Sequence, residues 1–172
     1  MMWAIHNDKH IAMSMLHKCG STSFKSSPDK FNLFVSNEQV LDIPIRVAWI
    51  RNPIDRLVSA YFNFHYLIGI NFKLRFAFTE KEVESWPNFV DYILEHDDPH
   101  WNPQVPSLTY QTKYLPTHTE KFENISSNFN KYISGTLIKT NTKPKTTLDL
   151  TYRNEEILNK YREDYLILNS GI

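Results

Sequence analysis

The chain has 172 residues, 41% apolar and 14% aromatic, enough for one compact domain, 1–172, with a packed core. Nineteen Lys and Arg balance nineteen Asp and Glu, which excludes a protein built to coat nucleic acid, since that task needs a basic excess. A single cysteine, Cys19, excludes internal disulfides and multi-cysteine zinc sites, and the lack of a long apolar run or a signal-peptide pattern in MMWAIHNDKH predicts a soluble, cytoplasmic protein.

In chain order, HIAMSML (10–16) reads as a short buried strand, followed by a loop at 17–20 and a short helix that Pro28 ends. FNLFVS (31–36) and the β-branched, apolar IRVAWI (45–50) are the next strands. Asn52 is a suitable N-cap and Pro53 a suitable first helical residue. Leu57, Ala60, Tyr61, Phe64 and Ile68 then recur at helical spacing, giving one apolar face. A further helix opens at Trp86–Pro87 and runs to about His96. The stretch 97–118, with four prolines, reads as irregular; ENISSNFNKYI predicts a helix near 123–133, and NEEILNKYREDYLIL predicts a final one. Strand, loop, helix, strand, helix implies an α/β domain with a central parallel sheet flanked by helices. Ligands in such sheets sit at the carboxyl ends of strands, where the loops after residues 16 and 50 both lie.

The first of these loops, HKCGSTSF, joins a glycine turn to a helix start. Unpaired backbone N–H groups converge there, with Ser21, Thr22 and Ser23 hydroxyls and the Lys18 charge beside them, which makes a cradle for phosphate or sulfate. An ordinary helix N-terminus capped by Ser21 or Thr22 fits the same residues. The pattern G-x-x-x-x-G-K-[ST] is absent and no acidic residue ends IRVAWI, which argues against a magnesium-nucleotide enzyme. Cys19, separated by five residues from Lys25–Ser26, approaches the loop of cysteine-dependent phosphatases, but lysine does not copy the forked guanidinium that such a loop needs. In the second loop, RNPIDRLVSAY, Arg51 at a strand end is able to grip a phosphate with paired hydrogen bonds, with Ser59 two turns into the helix as a further donor. Arg56 either helps or is a solvated helix residue.

Together the two stretches resemble the sulfotransferases that use 3′-phosphoadenosine 5′-phosphosulfate (PAPS), most closely the carbohydrate group acting on chondroitin, dermatan and related glycans. HKCGSTSF resembles their 5′-phosphosulfate loop and RNPIDRLVSAY their 3′-phosphate motif. PHWNPQ (99–104), EKFENI (120–125) and YREDYLIL (161–168) resemble later segments of the same family in the same order. The resemblance implies a P-loop-NTPase-like three-layer fold and transfer of a sulfuryl group from PAPS to a hydroxyl acceptor, a glycan by preference, leaving 3′-phosphoadenosine 5′-phosphate (PAP). It implies that Lys18, Cys19, Gly20, Ser21, Thr22 and Ser23 hold the 5′ end of the donor, and Arg51 and Ser59 its 3′ phosphate. Lys143 and Lys145, in TNTKPKTT, correspond to a loop that closes over the nucleotide in relatives, or form a solvated turn.

Lys18 would also stabilise the leaving phosphate. A base must take the acceptor proton, and His100 in the HWNPQ segment ranks first, His17 second and Glu38 third; each taken singly is as readily a surface residue. Trp101 either stacks on a sugar or packs under its loop. No cluster of ligands calls for a metal. A fold that keeps binding but has lost catalysis, a nucleotide- or glycan-binding module, is the reading from a different class.

Overall fold

The structure, a computed structural model, describes residues 2–8, 10–27, 29–66, 80–134 and 148–170. Strand β1 spans Met2–His6, β2 Ile11–Ser14, β3 Phe31–Ser36 and β4 Ile45–Ile50. The later strands are β5 (Thr109–Tyr110), β6 (Lys113–Tyr114) and β7 (His118–Lys121). The helices are α1 (Ser21–Lys25), α2 (Pro53–Tyr66), α3 (Trp86–Glu95), α4 (Gln104–Ser107), α5 (Ile125–Asn128), α6 (Asn154–Lys160) and α7 (Arg162–Ser170). The strands at 31–36 and 45–50 and the start of α2 coincide with the sequence reading. Asn52 Oδ1 accepts the Asp55 N–H at 3.3 Å, as an N-cap does.

The main sheet has the order β3-β1-β2-β4-β7. It is mixed, and the expectation of a purely parallel sheet is corrected here. β2, β4 and β7 are parallel neighbours, but β1 is antiparallel to both β2 and β3. The reason is connection length: only residues 7–10 join β1 to β2, whereas a parallel crossover needs roughly a dozen residues. β2, β3, β4 and β7 still point the same way, so their carboxyl ends share one edge of the sheet.

Side chains alternate along β4 as a strand buried on both faces requires. Val47 and Trp49 pack with Met13, Phe24, Phe31 and Phe129 on one face; Ala48 and Ile50 pack with Leu16, Cys19, Leu115 and Leu168 on the other. A third cluster joins Leu57, Ala60, Tyr61 and Phe64 of α2 to Phe89 and Ile93 of α3, with Trp101, Ile157 and Tyr161. The predicted face of α2 is thus buried, apart from Ile68, which lies outside the described residues.

Two predicted helices are interrupted. Residues 122–131 form 3₁₀ turns on either side of the four-residue α5. Asn and Ser side chains there compete for backbone groups, as when Ser127 Oγ donates to Asn124 O at 2.9 Å. The final helix bends at Tyr161, although Tyr161 N and Tyr165 N still donate to Ile157 O and Tyr161 O at 3.0 and 3.1 Å. The Tyr161 hydroxyl donates to the Trp101 carbonyl, which anchors the bend in the core.

Candidate functional site

The loop after β2 carries two residues in the left-handed backbone region, Lys18 (φ 64) and Gly20 (φ 88). That conformation suits Gly20 and is unusual for Lys18, so surrounding contacts must hold it. A Cβ on Gly20 would lie 3.2 Å from the Phe122 ring, a tight contact that adds to the strain its left-handed backbone would impose on any other residue. The first helical bond of α1 runs from Phe24 N to Gly20 O at 3.1 Å, which leaves the amides of Gly20, Ser21 and Thr22 ahead of the helical ladder. Ser21 is half-buried, Thr22 exposed and Ser23 buried. With five residues, α1 has little dipole to offer, so full charges must supply most of the positive potential.

Arg51, directly after β4, supplies one of them. Its Nη1 donates to Lys18 O at 2.9 Å, tying the two strand tips together, and its guanidinium lies 5.2 Å from the centre of the Phe122 ring. Its backbone is held by the buried Gln104, whose Oε1 accepts from Arg51 N (2.9 Å) and whose Nε2 donates to Arg51 O (2.8 Å). The same Oε1 accepts from Cys19 Sγ at 3.2 Å. Asp164, fully buried on α7, receives Gln104 N, Gln104 Nε2 and Val105 N at 2.8, 3.0 and 2.9 Å.

Arg56 is neither solvated nor open to a ligand. It is 1% exposed, and its Nε, Nη1 and Nη2 donate to the carbonyls of His17, Asn102 and Pro99 at 3.0, 2.7 and 2.9 Å. The two loops it joins bring His17 and His100 together, with ring centres 4.3 Å apart. His100 Nδ1 meets Asp98 Oδ1 at 2.6 Å, and Asp98 Oδ1 also receives the His100 N–H at 2.8 Å. Burial pushes the Asp98 carboxyl up, but these bonds from His100 outweigh it and hold it below the usual carboxylate range. An ionised Asp98 sets a proton of His100 on Nδ1. Lys18 Nζ lies 5.9 Å over the Phe64 ring, and Phe64 packs edge-on to His100.

The electrostatics follow from this crowding of cations. Burial, then Arg51, then Arg56 lower the Lys18 pKa to about 8. His17 keeps part of its surface in water, yet desolvation on its packed side, then the charges of His100 and Arg56, lower its pKa to about 4. Burial also acts against the Arg51 charge. Asp55 and Glu123 favour the Arg51 charge and Asp98 faces His17, but only cations act on Lys18, where an anion would supply the negative charge.

Lys18, Gly20 and Arg51 therefore meet at one edge, and His17 and His100, ranked as alternatives in the sequence, touch each other. Ser59 is half-buried on α2, one turn beyond Asp55; Glu38 is exposed in the turn after β3, with β1 between β3 and β2. Lys143 and Lys145 lie outside the described residues. Trp101 is 1% exposed with Nε1 on His96 O at 2.8 Å, so it packs instead of presenting a face to a sugar. Cys19 is fully buried and burial raises its pKa to about 11, which removes the cysteine-phosphatase reading: the thiol stays protonated and out of reach. Its own N–H donates to Leu16 O at 3.1 Å, so Cys19 supplies the anion cradle with neither thiolate nor amide. A cavity of about 410 Å³ lies away from these cations, along β7 between Tyr132 and Ile167.

Sequence reasoning assigned no role to Gln104 or Asp164, and none to Arg56 as a link between loops. All three stand in stretches singled out for other reasons, but a glutamine after a proline carries no local sign that it bonds 53 and 60 residues away.

Residues 27–166 match the family model described as "Sulfotransferase family". The match takes in Arg51, Arg56, Ser59, His100, Gln104 and Asp164, and begins after the Lys18 loop. No curated protein and no solved structure matches the chain. Among the described residues no helix is long and apolar enough to cross a membrane.

Proposed function

Because the chain belongs to the sulfotransferase family, we propose that it moves a sulfuryl group from PAPS to a hydroxyl on a carbohydrate acceptor. The observation that carries this reading is the 2.9 Å bond from Arg51 Nη1 to Lys18 O, which sets two cations on adjoining parallel strand tips. A donor with phosphates at both ends of one nucleoside calls for two cations beside one cleft, and the mixed sheet is read here as a variant of the P-loop-like three-layer plan.

In this reading Lys18 and the amides of Gly20 to Ser23 hold the 5′-phosphosulfate, with the Ser21, Thr22 and Ser23 hydroxyls beside them. Arg51 and Ser59 hold the 3′ phosphate, which selects PAPS over ATP. The bond from sulfur to the bridging phosphate oxygen breaks as the acceptor oxygen bonds to sulfur. Lys18 neutralises the charge that grows on the departing phosphate, and PAP leaves. His100 Nε2 takes the acceptor proton, oriented through Nδ1 by Asp98. His17, with its pKa lowered to about 4, is a weak base at neutral pH. Lys143 and Lys145 are assigned to the nucleotide side, and Glu38 is left as the third candidate base.

The test is a thermal-shift and calorimetric comparison of PAP with ATP, followed by transfer of labelled sulfate from PAPS to a panel of glycans. PAP is expected to stabilise the protein and ATP not to, and Lys18→Ala is expected to abolish transfer. The absence of any response to PAP would remove the proposal. PAP binding without transfer to any acceptor would favour a binding module that has lost catalysis.

A further inference from the structure

We propose that Arg56 is a positioning residue that sets the distance between Lys18 and His100 by clamping the backbones of the two loops that carry them. The inference rests on the sulfuryl-transfer reading above for its catalytic consequence, but its geometric content stands apart from it.

The clamp is visible in which carbonyls it takes. His17 O, bonded to Arg56 Nε, belongs to the peptide that precedes Lys18; Lys18 O, bonded to Arg51 Nη1, belongs to the peptide that follows it. The left-handed backbone of Lys18 is thus held from both sides by an arginine. On the other loop, Pro99 O and Asn102 O flank His100 and Trp101, and both are taken by Arg56. The turn itself is closed by Asp98 N donating to Asn102 Oδ1 at 2.8 Å and by Asn102 N donating to Asp98 O at 2.8 Å. One planar guanidinium therefore joins three carbonyls from two loops more than eighty positions apart in sequence.

Chemistry favours arginine for this task. A guanidinium presents five N–H groups in a fixed plane, so it sets directions as well as supplying charge; a lysine ammonium is a point charge on a flexible stem. Among the described residues Arg56 has no carboxylate in ion-pair range, so the carbonyl dipoles are its compensation, and its uncancelled charge adds to that of Lys18 and Arg51. A residue kept for packing alone has no need of a buried, unpaired charge at this position. The half-buried Arg46 offers a comparison. It too donates to carbonyls, Leu115 O at 2.5 Å and Ile43 O at 2.6 Å, but at the opposite end of β4.

The experiment compares Arg56→Lys with Arg46→Lys in the full chain by three readouts: sulfate transfer from PAPS, PAP affinity by calorimetry, and the nuclear Overhauser effect between the His17 and His100 rings. For Arg56→Lys we expect loss of the ring-to-ring signal, a fall of roughly 100-fold in kcat, and a change in PAP Kd of less than about threefold. For Arg46→Lys we expect lower thermal stability with kcat per folded molecule and the ring signal retained. An Arg56→Lys protein that keeps the ring signal overturns the proposal, and so does one whose kcat is unchanged in an active wild type. Should Arg56→Lys not fold, Asn102→Ala loosens the same turn more gently. It is expected to weaken the ring signal and lower kcat about tenfold, and an unchanged signal there counts against the clamp. If the wild-type protein neither binds PAP nor transfers sulfate, the ring signal still decides the clamp while the sulfuryl-transfer reading falls alone.

Discussion

Replacing Gln104 with leucine tests whether the buried network behind Arg51 does what its geometry implies. Leucine fills a similar volume but makes none of the four side-chain bonds, to Arg51 N, Arg51 O, Cys19 Sγ and Asp164 Oδ2. The Arg51 N–H and C=O are then left in a buried site without partners, at about 1–3 kcal/mol each. Leucine is easier to bury than an amide, which offsets about 1–2 kcal/mol of that loss. The net expectation is a destabilisation of about 1–4 kcal/mol, or a fall in Tm of about 2–16 °C for a chain of this size. Arg51, no longer held through its backbone, is expected to bind PAP about tenfold more weakly, equivalent to about 1.4 kcal/mol. Urea unfolding followed by circular dichroism gives the stability, and calorimetry on the folded variant gives the affinity. A Gln104→Leu protein with wild-type Tm and wild-type PAP affinity would refute the reasoning that these bonds position Arg51.

The remaining expectations concern titration and accessibility. Lys18, with a pKa of about 8, is charged below that pH and neutral above it. PAP affinity should therefore fall as pH rises through 8, by at most about one decade per unit, and Lys18→Arg should flatten the profile in calorimetry. His17 binds its proton less tightly when folded, near pH 4, than when unfolded, near 6.5. The unfolded chain thus holds more protons in that window, and stability is lost as pH falls from 6.5 through 4. His17→Gln should reduce this dependence in urea midpoints measured across the range. Cys19, buried and protonated, should react with a disulfide reagent only after denaturation; fast labelling of the native protein would contradict its placement.

Local signals carried much of the scaffold. FNLFVS and IRVAWI became strands over the residues their composition indicated, and Asn52–Pro53 opened α2 because cap chemistry and proline geometry act within one turn of chain. Strand ends bearing Lys18 and Arg51 were legible for the same reason: a glycine turn and an arginine after an apolar strand are short patterns. Local reading failed where partners were distant. The five-residue β1 went unread, and with it the antiparallel pairing that a short turn imposes. The bend at Tyr161 carries no glycine or proline to mark it, only a hydroxyl bond to Trp101 sixty positions away.

The sequence alone therefore determined the residue types available at the site, a lysine beside a glycine turn, an arginine at a strand end and two histidines, because each is written within a few consecutive positions. The tertiary structure decided which of them meet. It joined His17 to His100 and hid Cys19. It also made Arg56, left open as a helper or a solvated helix residue, a link between loops, since burial and hydrogen-bond partnership depend on packing between segments about forty to more than eighty residues apart.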